Sequence, residues 1–154
     1  MSTVPQPVAE FLKSRRIAVA GVSRTNGVGN AVLNKLRASG FDVVPVNPNA
    51  DRLEGMTCYP DVAAVPGDLD AVVFASHPRF ASETVRQCAD RGVRRIWFHR
   101  SFGEGSVSDD AVRDCRSRGI EPIVGGCPLM YCEPVDFAHR CMCWWLRRKG
   151  RVPA

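Results

Sequence analysis

At 154 residues, 45% hydrophobic and 24% charged, the chain has the size and composition of one soluble globular domain. No apolar run approaches the ~20 residues that span a bilayer. The start, Met1-Ser2-Thr3-Val4-Pro5-Gln6-Pro7, lacks the basic and apolar stretches of a signal peptide, so the expectation is a cytoplasmic protein.

The net charge of +5 sits at one end: beyond Asp136 come Arg140, Arg147, Arg148, Lys149 and Arg151 and no acid, while the first 136 residues are neutral. That argues against a nucleic-acid partner, which needs a broader basic face, and a membrane partner needs a second attachment signal. Seven cysteines, odd in number and scattered, point to reduced thiols rather than a disulfide framework.

A short helical pattern near residues 8–14 comes first. Apolar strands are then expected at 17–22, 42–46, 71–75, 95–98 and 122–124, with amphipathic helices between them at 28–39, 80–91 and 107–118. Each of these helices stops against a glycine, Gly40, Gly92 or Gly119, a residue that accepts the left-handed conformation at a helix end. Strands rich in Val and Ile, with little alternation, are covered on both faces. The alternation predicts a single doubly wound, Rossmann-type α/β domain with a five-stranded, mainly parallel sheet and a C-terminal helix. Residues 1–134 would form this domain, with the helix and basic tail of 135–154 packed on it. Ligands of such sheets lie beyond the carboxyl ends of the strands, where strand order reverses. That selects residues 21–26, 47–49, 76–79, 99–102 and 125–128.

Ile17-Ala18-Val19-Ala20-Gly21-Val22-Ser23-Arg24-Thr25-Asn26-Gly27-Val28-Gly29-Asn30 is the most informative stretch. It reads as a buried strand, a turn and a helix start, where free amides and the helix dipole favour phosphate. Its glycines suit positive φ and close approach of a ligand to the backbone, but Gly21, Gly27 and Gly29 do not have the GxGxxG spacing of dinucleotide enzymes. Such enzymes also carry an acid at the end of the second strand for the ribose. Here that position reads Val43-Val44-Pro45-Val46-Asn47-Pro48-Asn49, with no carboxylate before Asp51. Amides with arginines nearby tolerate an extra ribose phosphate, a condition both NADP and coenzyme A meet; Asn-Pro-Asn also has the composition of a plain turn.

Residues 17–30, 43–49, Cys58-Tyr59-Pro60, 71–78 and Gly126-Cys127-Pro128 together resemble the small CoA-binding proteins. These are stand-alone Rossmann-type domains similar to the N-terminal domain of the succinyl-CoA synthetase alpha subunit. The resemblance covers roughly residues 11 to 134, and some members carry an extension like the segment from Glu133 to Trp145. It implies that coenzyme A or a short acyl-CoA is the ligand. Gly21, Val22, Ser23 and Arg24 would cradle the pyrophosphate, with Gly29 in the same turn. Asn47, Pro48 and Asn49 would face the adenosine part, and Ser76, His77 and Pro78 would line the other side of the cleft. Many relatives have lysine where this chain has Asn49, so the 3′-phosphate must find Arg24, Arg52 or Arg79. Arg52 is the nearest in sequence to the missing lysine.

Acyl-CoA synthetases of the larger family use a phosphorylated histidine on a separate domain and a nucleotide-grasping domain, and the chain has room for neither. The expectation is a non-catalytic carrier or sensor; the alternative is an NAD(P)-dependent oxidoreductase or redox-sensing domain, and a third reading is a pure interaction domain. His77 and His99 stand at strand ends, and Cys127 there could be an exposed thiol able to pair with either. The spacing of Cys127, Cys132, His139, Cys141 and Cys143 fits zinc poorly, so no metal is expected. The tail 135–148 is expected to be a helix with Phe137, Cys141, Trp144 and Trp145 along one side, docked on the body or across a homodimer.

Overall fold

The computed structural model describes residues 4–101 and 103–153. Residues 1–3, part of the N-terminal stretch read above, Phe102 of the strand-end group 99–102, and Ala154 lie outside the described residues. In chain order the elements are α1 (Gln6–Phe11), β1 (Arg16–Ala20), α2 (Val28–Ala38), β2 (Asp42–Val46), β3 (Arg52–Leu53), β4 (Met56–Thr57), β5 (Ala71–Phe74), α3 (Ala81–Asp90), β6 (Arg95–Phe98), α4 (Asp109–Ser117), β7 (Glu121–Val124) and α5 (Phe137–Arg148). Single 3₁₀ turns occupy Pro78–Phe80 and Pro128–Met130.

Five strands form one parallel sheet in the order β2-β1-β5-β6-β7. Successive residues of each strand feed opposite faces, as the pleat requires. Ile17 and Val19 of β1 join Val8 and Phe11 of α1, Val32, Leu33 and Leu36 of α2 and Leu146 of α5 on one side. Ala18 and Ala20 join Val85 and Cys88 of α3 and Val112 and Cys115 of α4 on the other. Both faces are covered, so the strands lack alternation. Trp97 anchors the first side: its ring meets Phe11 edge-on at 5.3 Å, and its indole N–H donates to the Gly125 carbonyl at 2.9 Å.

The expected strands and helices are present with small shifts of boundary, and each shift has a local cause. β1 ends at Ala20 because Gly21 turns the chain with φ +103°. α4 starts at Asp109, capped by Ser108, whose hydroxyl accepts the Ala111 N–H at 3.4 Å. α5 starts at Phe137 because the Asp136 carboxylate accepts the His139 N–H at 2.9 Å. The β3–β4 hairpin was not expected: it turns through Glu54 (φ +52°) and Gly55 (φ +75°).

Of the two placements expected for the aromatic side of the tail helix, docking on the body of the same copy is not found. α5 does not dock by its aromatic side. It buries Leu146, with Met142 and Cys143 packed against the same core, and leaves Phe137 81%, Trp144 58% and Trp145 44% exposed. Both faces of this helix are apolar, and the aliphatic one is turned to the body.

Candidate functional site

Strand order reverses between β1 and β5, with β2 beyond β1, so the carboxyl ends of these three strands diverge around a crevice. A cleft of about 550 Å³ opens there, between Gly21, Asn47–Asn49, Ser76, Arg79 and Phe80, with Val46, Val62 and Phe74 as its apolar floor and Thr84 and Gln87 on the α3 side. A larger hollow, about 750 Å³, lies at the opposite end of the strands against Arg15, Arg16, Asp42, Asp68 and Asp70. Part of its charge is already engaged: Arg16 pairs with Asp42 at 3.2 Å, and Asp70 accepts the Arg15 and Arg16 backbone N–H groups at 2.9 Å, which holds its carboxyl below the usual range.

The turn after β1 is held by its own helix. Asn30, in the first turn of α2 and only 4% exposed, accepts the Ser23 N–H at 3.0 Å and donates to the Ser23 carbonyl at 2.8 Å. The same amide group donates to Glu54 at 2.7 Å, and Asn34 donates to the second carboxylate oxygen at 3.1 Å. Those two amides hold the Glu54 carboxyl below its ordinary value. Thus the unexpected hairpin braces the turn. Sequence reasoning quoted Asn30 as the end of the run and gave it no role. The available signal was a polar residue on the buried side of an amphipathic helix.

The second loop is tied to the first. Asn47 donates to the Val22 carbonyl at 2.7 Å and accepts the Asn49 N–H at 2.7 Å, an Asx turn that fixes the Asn-Pro-Asn corner. The Arg24 guanidinium reaches the Asn49 carbonyl. Gly27 caps α2 without a side-chain hydrogen bond, so no capping side chain takes up the first-turn amides of the helix.

Of the residues singled out from sequence, Gly21, Asn47, Pro48, Asn49, Ser76 and Arg79 line the cleft. Val22 and Gly29 are buried, Ser23 is half-buried and Arg24 exposed, and these four, with His77 and Pro78, do not line the cleft itself. Arg52 does not line the cleft: it sits on β3 and donates to the Gly55 carbonyl at 2.9 Å. Arg79 lies over the Phe80 ring, 4.6 Å from its centre. The His77 ring caps the following turn by accepting the Arg79 N–H at 3.2 Å, ahead of Pro78.

Two of the glycines have a packing role that the sequence reading did not include. A Cβ on Gly21 would overlap the Ala75 carbonyl oxygen and stand 2.9 Å from the Ser76 nitrogen; one on Gly29 would overlap the Gly21 carbonyl and stand 2.8 Å from the Val22 nitrogen. These glycines let β1 meet β5 and α2 meet the turn. The positive φ expected of this turn is present at Gly21, +103°.

The remaining candidates for chemistry are quiet. His99 is buried, and desolvation pushes its pKa down to about 4, so the ring is neutral. Cys127 is buried too, not exposed as the sequence allowed, and burial pushes its thiol up to about 12. Among the described residues no group of three His, Cys, Asp or Glu side chains stands close enough to hold a metal ion, and no helix is long and apolar enough to cross a membrane.

Known proteins place this architecture. Trans-feruloyl-CoA synthase from an unknown prokaryotic organism is 34% identical over 112 residues, 71% of this chain and 16% of its own. The alpha subunit of ADP-forming acetate–CoA ligase II from Pyrococcus furiosus is 30% identical over 106 residues, 68% of this chain and 23% of its own. The chain thus spans less than a quarter of the curated ligases it matches. A hypothetical protein from Pyrococcus horikoshii, 26% identical, superposes with a TM-score of 0.72 over 82% of this chain and 92% of that one. The sequence pattern of the CoA binding domain matches residues 15–133, and the chain belongs to that family.

Proposed function

We propose that the protein binds coenzyme A or a short acyl-CoA in the cleft at the ends of β1, β2 and β5, as a non-catalytic carrier or sensor. One observation carries the choice of ligand within a fold that also serves NAD. The end of β2, where a ribose-binding acid would stand, presents Asn47, and both its amide oxygen and its amide nitrogen are committed to loop backbone. No carboxylate of β2 itself waits there for a 2′- and 3′-hydroxyl pair; the two acids that do line the cleft are engaged elsewhere, Asp61 accepting the Ala64 N–H at 2.8 Å and Glu83 paired with Arg86. Family membership supports the same ligand.

In this reading the pyrophosphate lies on the turn from Gly21 to Arg24 and the uncapped amides at the start of α2. The adenosine part sits on the floor of Val46, Val62 and Phe74, and Arg79 supplies positive charge at the rim. The strand-end candidates for a nucleophile pair support the non-catalytic part of this reading: the Cys127 thiol is held protonated, His99 is neutral and enclosed, and Nδ1 of His77 accepts a backbone N–H.

Titration calorimetry with CoA, acetyl-CoA, NAD and NADP tests this. CoA and acetyl-CoA should bind more tightly than either nicotinamide nucleotide. Tighter binding of NAD or NADP would overturn the assignment in favour of a redox domain, and no binding of any of the four would favour a pure interaction domain.

A further inference from the structure

We infer that the exposed side of α5 is a self-association surface on which a second copy of this chain packs antiparallel. At 3.6 residues per turn, the outward line of the helix reads Phe137, Cys141, Trp144 and Arg148, with Arg140 on one flank and Ala138 and Trp145 on the other; all are exposed. Three large aromatics on one side of a 12-residue helix form a patch of the kind that marks an interaction site.

The composition of the patch selects its occupant. A two-fold axis perpendicular to the helix, with full overlap of both helices, places Phe137 opposite Arg148 of the second copy. Trp144 then meets Cys141 and Arg140 of that copy, and Trp145 meets its Ala138 and Cys141. Every aromatic therefore faces a cation or a small side chain, and none collides with another aromatic. The preference of this chain for cation–ring contact is already visible within one copy, where Arg148 lies 4.2 Å from the Trp144 ring centre. Parallel stacking would instead set the basic end, Arg147, Arg148 and Lys149, against itself. A self-complementary patch is what a two-fold dimer requires.

The helix is about 18 Å long, so this side alone covers about half of the ~800 Å² per partner of a standard interface. The pairing is correspondingly weak and concentration-dependent.

Sedimentation velocity of the full chain, from micromolar to submillimolar concentration, tests it. The wild type should pass from 16.9 kDa monomer to dimer across that range. Trp144→Ala, whose fold is checked by circular dichroism, should move the midpoint at least about tenfold upward. Trp145→Ala gives a second reading on the flank, with a smaller shift in the same direction. A wild type that stays monomeric throughout overturns the proposal. So does a Trp144→Ala chain that dimerises like wild type, which would put the interface elsewhere. A monomer that co-sediments with vesicles of anionic but not zwitterionic phospholipid also overturns it, by giving the same patch to a lipid surface.

Discussion

The carboxyl edge of the sheet is built twice from similar materials, and its two halves have opposite fates. After β1 a glycine with positive φ turns the chain, and the space above remains a cleft. After β7 two such glycines, Gly125 (φ +85°) and Gly126 (φ +70°), turn the chain in the same way. Here the protein's own tail fills the space. A Cβ on Gly125 would overlap the Arg151 carbonyl oxygen, and one on Gly126 would stand 3.2 Å from Pro153. Val152 is buried in the core beside them, and the Arg151 guanidinium reaches the Gly103 carbonyl. A glycine-rich strand end is therefore not in itself a ligand site. The difference lies in what stands beyond the strand end, an open cleft past Gly21, whose own missing Cβ makes room only for the segment after β5, and the C-terminal tail at Gly125.

The largest effect expected from this contrast is on stability. Gly21→Ala places a methyl group into the β5 backbone at a positive φ, and β5 sits inside the sheet and cannot retreat. It should lose roughly 3 kcal/mol or more in chemical unfolding. Gly125→Ala meets a terminal segment that can lift away, so its cost should fall to about 1–2 kcal/mol. Gly27→Ala, whose added Cβ finds its nearest neighbour at an ordinary 3.7 Å, should be close to neutral and serves as the control. Equal losses at Gly21 and Gly125 would mean that the tail is as rigid as a central strand, and the contrast between the halves would collapse.

The next effect distinguishes a braced turn from a merely open one. Asn30→Ala removes both partners of the Ser23 backbone and the main hydrogen bond to Glu54. It should cost about 1–3 kcal/mol of stability, the range for leaving such groups unpaired, and weaken CoA binding about tenfold. Unfolding and calorimetry on the same variant separate the two. Unchanged affinity in a destabilised Asn30→Ala protein would show that the ligand does not depend on the shape of this turn.

Much of this was legible in the chain. Strand positions, the parallel sheet and the glycine stops followed from runs such as Ile17-Ala18-Val19-Ala20, because burial on both faces leaves an unmistakable apolar block. The residues at the strand ends could be named for the same reason, since topology alone carries them to one edge. Three things were hidden. The β3–β4 hairpin has two residues per strand, too few for any periodicity. The orientation of α5 could not be decided from a helix with two apolar faces, because the choice is made by what Leu146 finds in the core. The role of Gly21 depends on the backbone of a strand more than fifty positions away, and no local pattern encodes that contact.

The smallest effect concerns the 3′-phosphate of the proposed ligand, and here the structure moves the expectation from one arginine to another. Arg52 follows Asn49 closely in sequence, but β3 carries its guanidinium to the Gly55 carbonyl, away from the cleft lining. Arg79 reaches the same cleft from the β5 side, stacked on Phe80 at the rim. Dephospho-CoA, which lacks only that phosphate, isolates the contact. An exposed arginine meeting a solvated phosphate contributes up to about 1 kcal/mol, so wild type should prefer CoA by no more than about fivefold. Arg79→Ala should erase that preference and leave dephospho-CoA affinity nearly unchanged, while Arg52→Ala should alter neither. If Arg52→Ala removes the preference instead, the hairpin must swing toward the ligand on binding. The open half of the edge would then also be closed by the protein's own chain, though only when occupied.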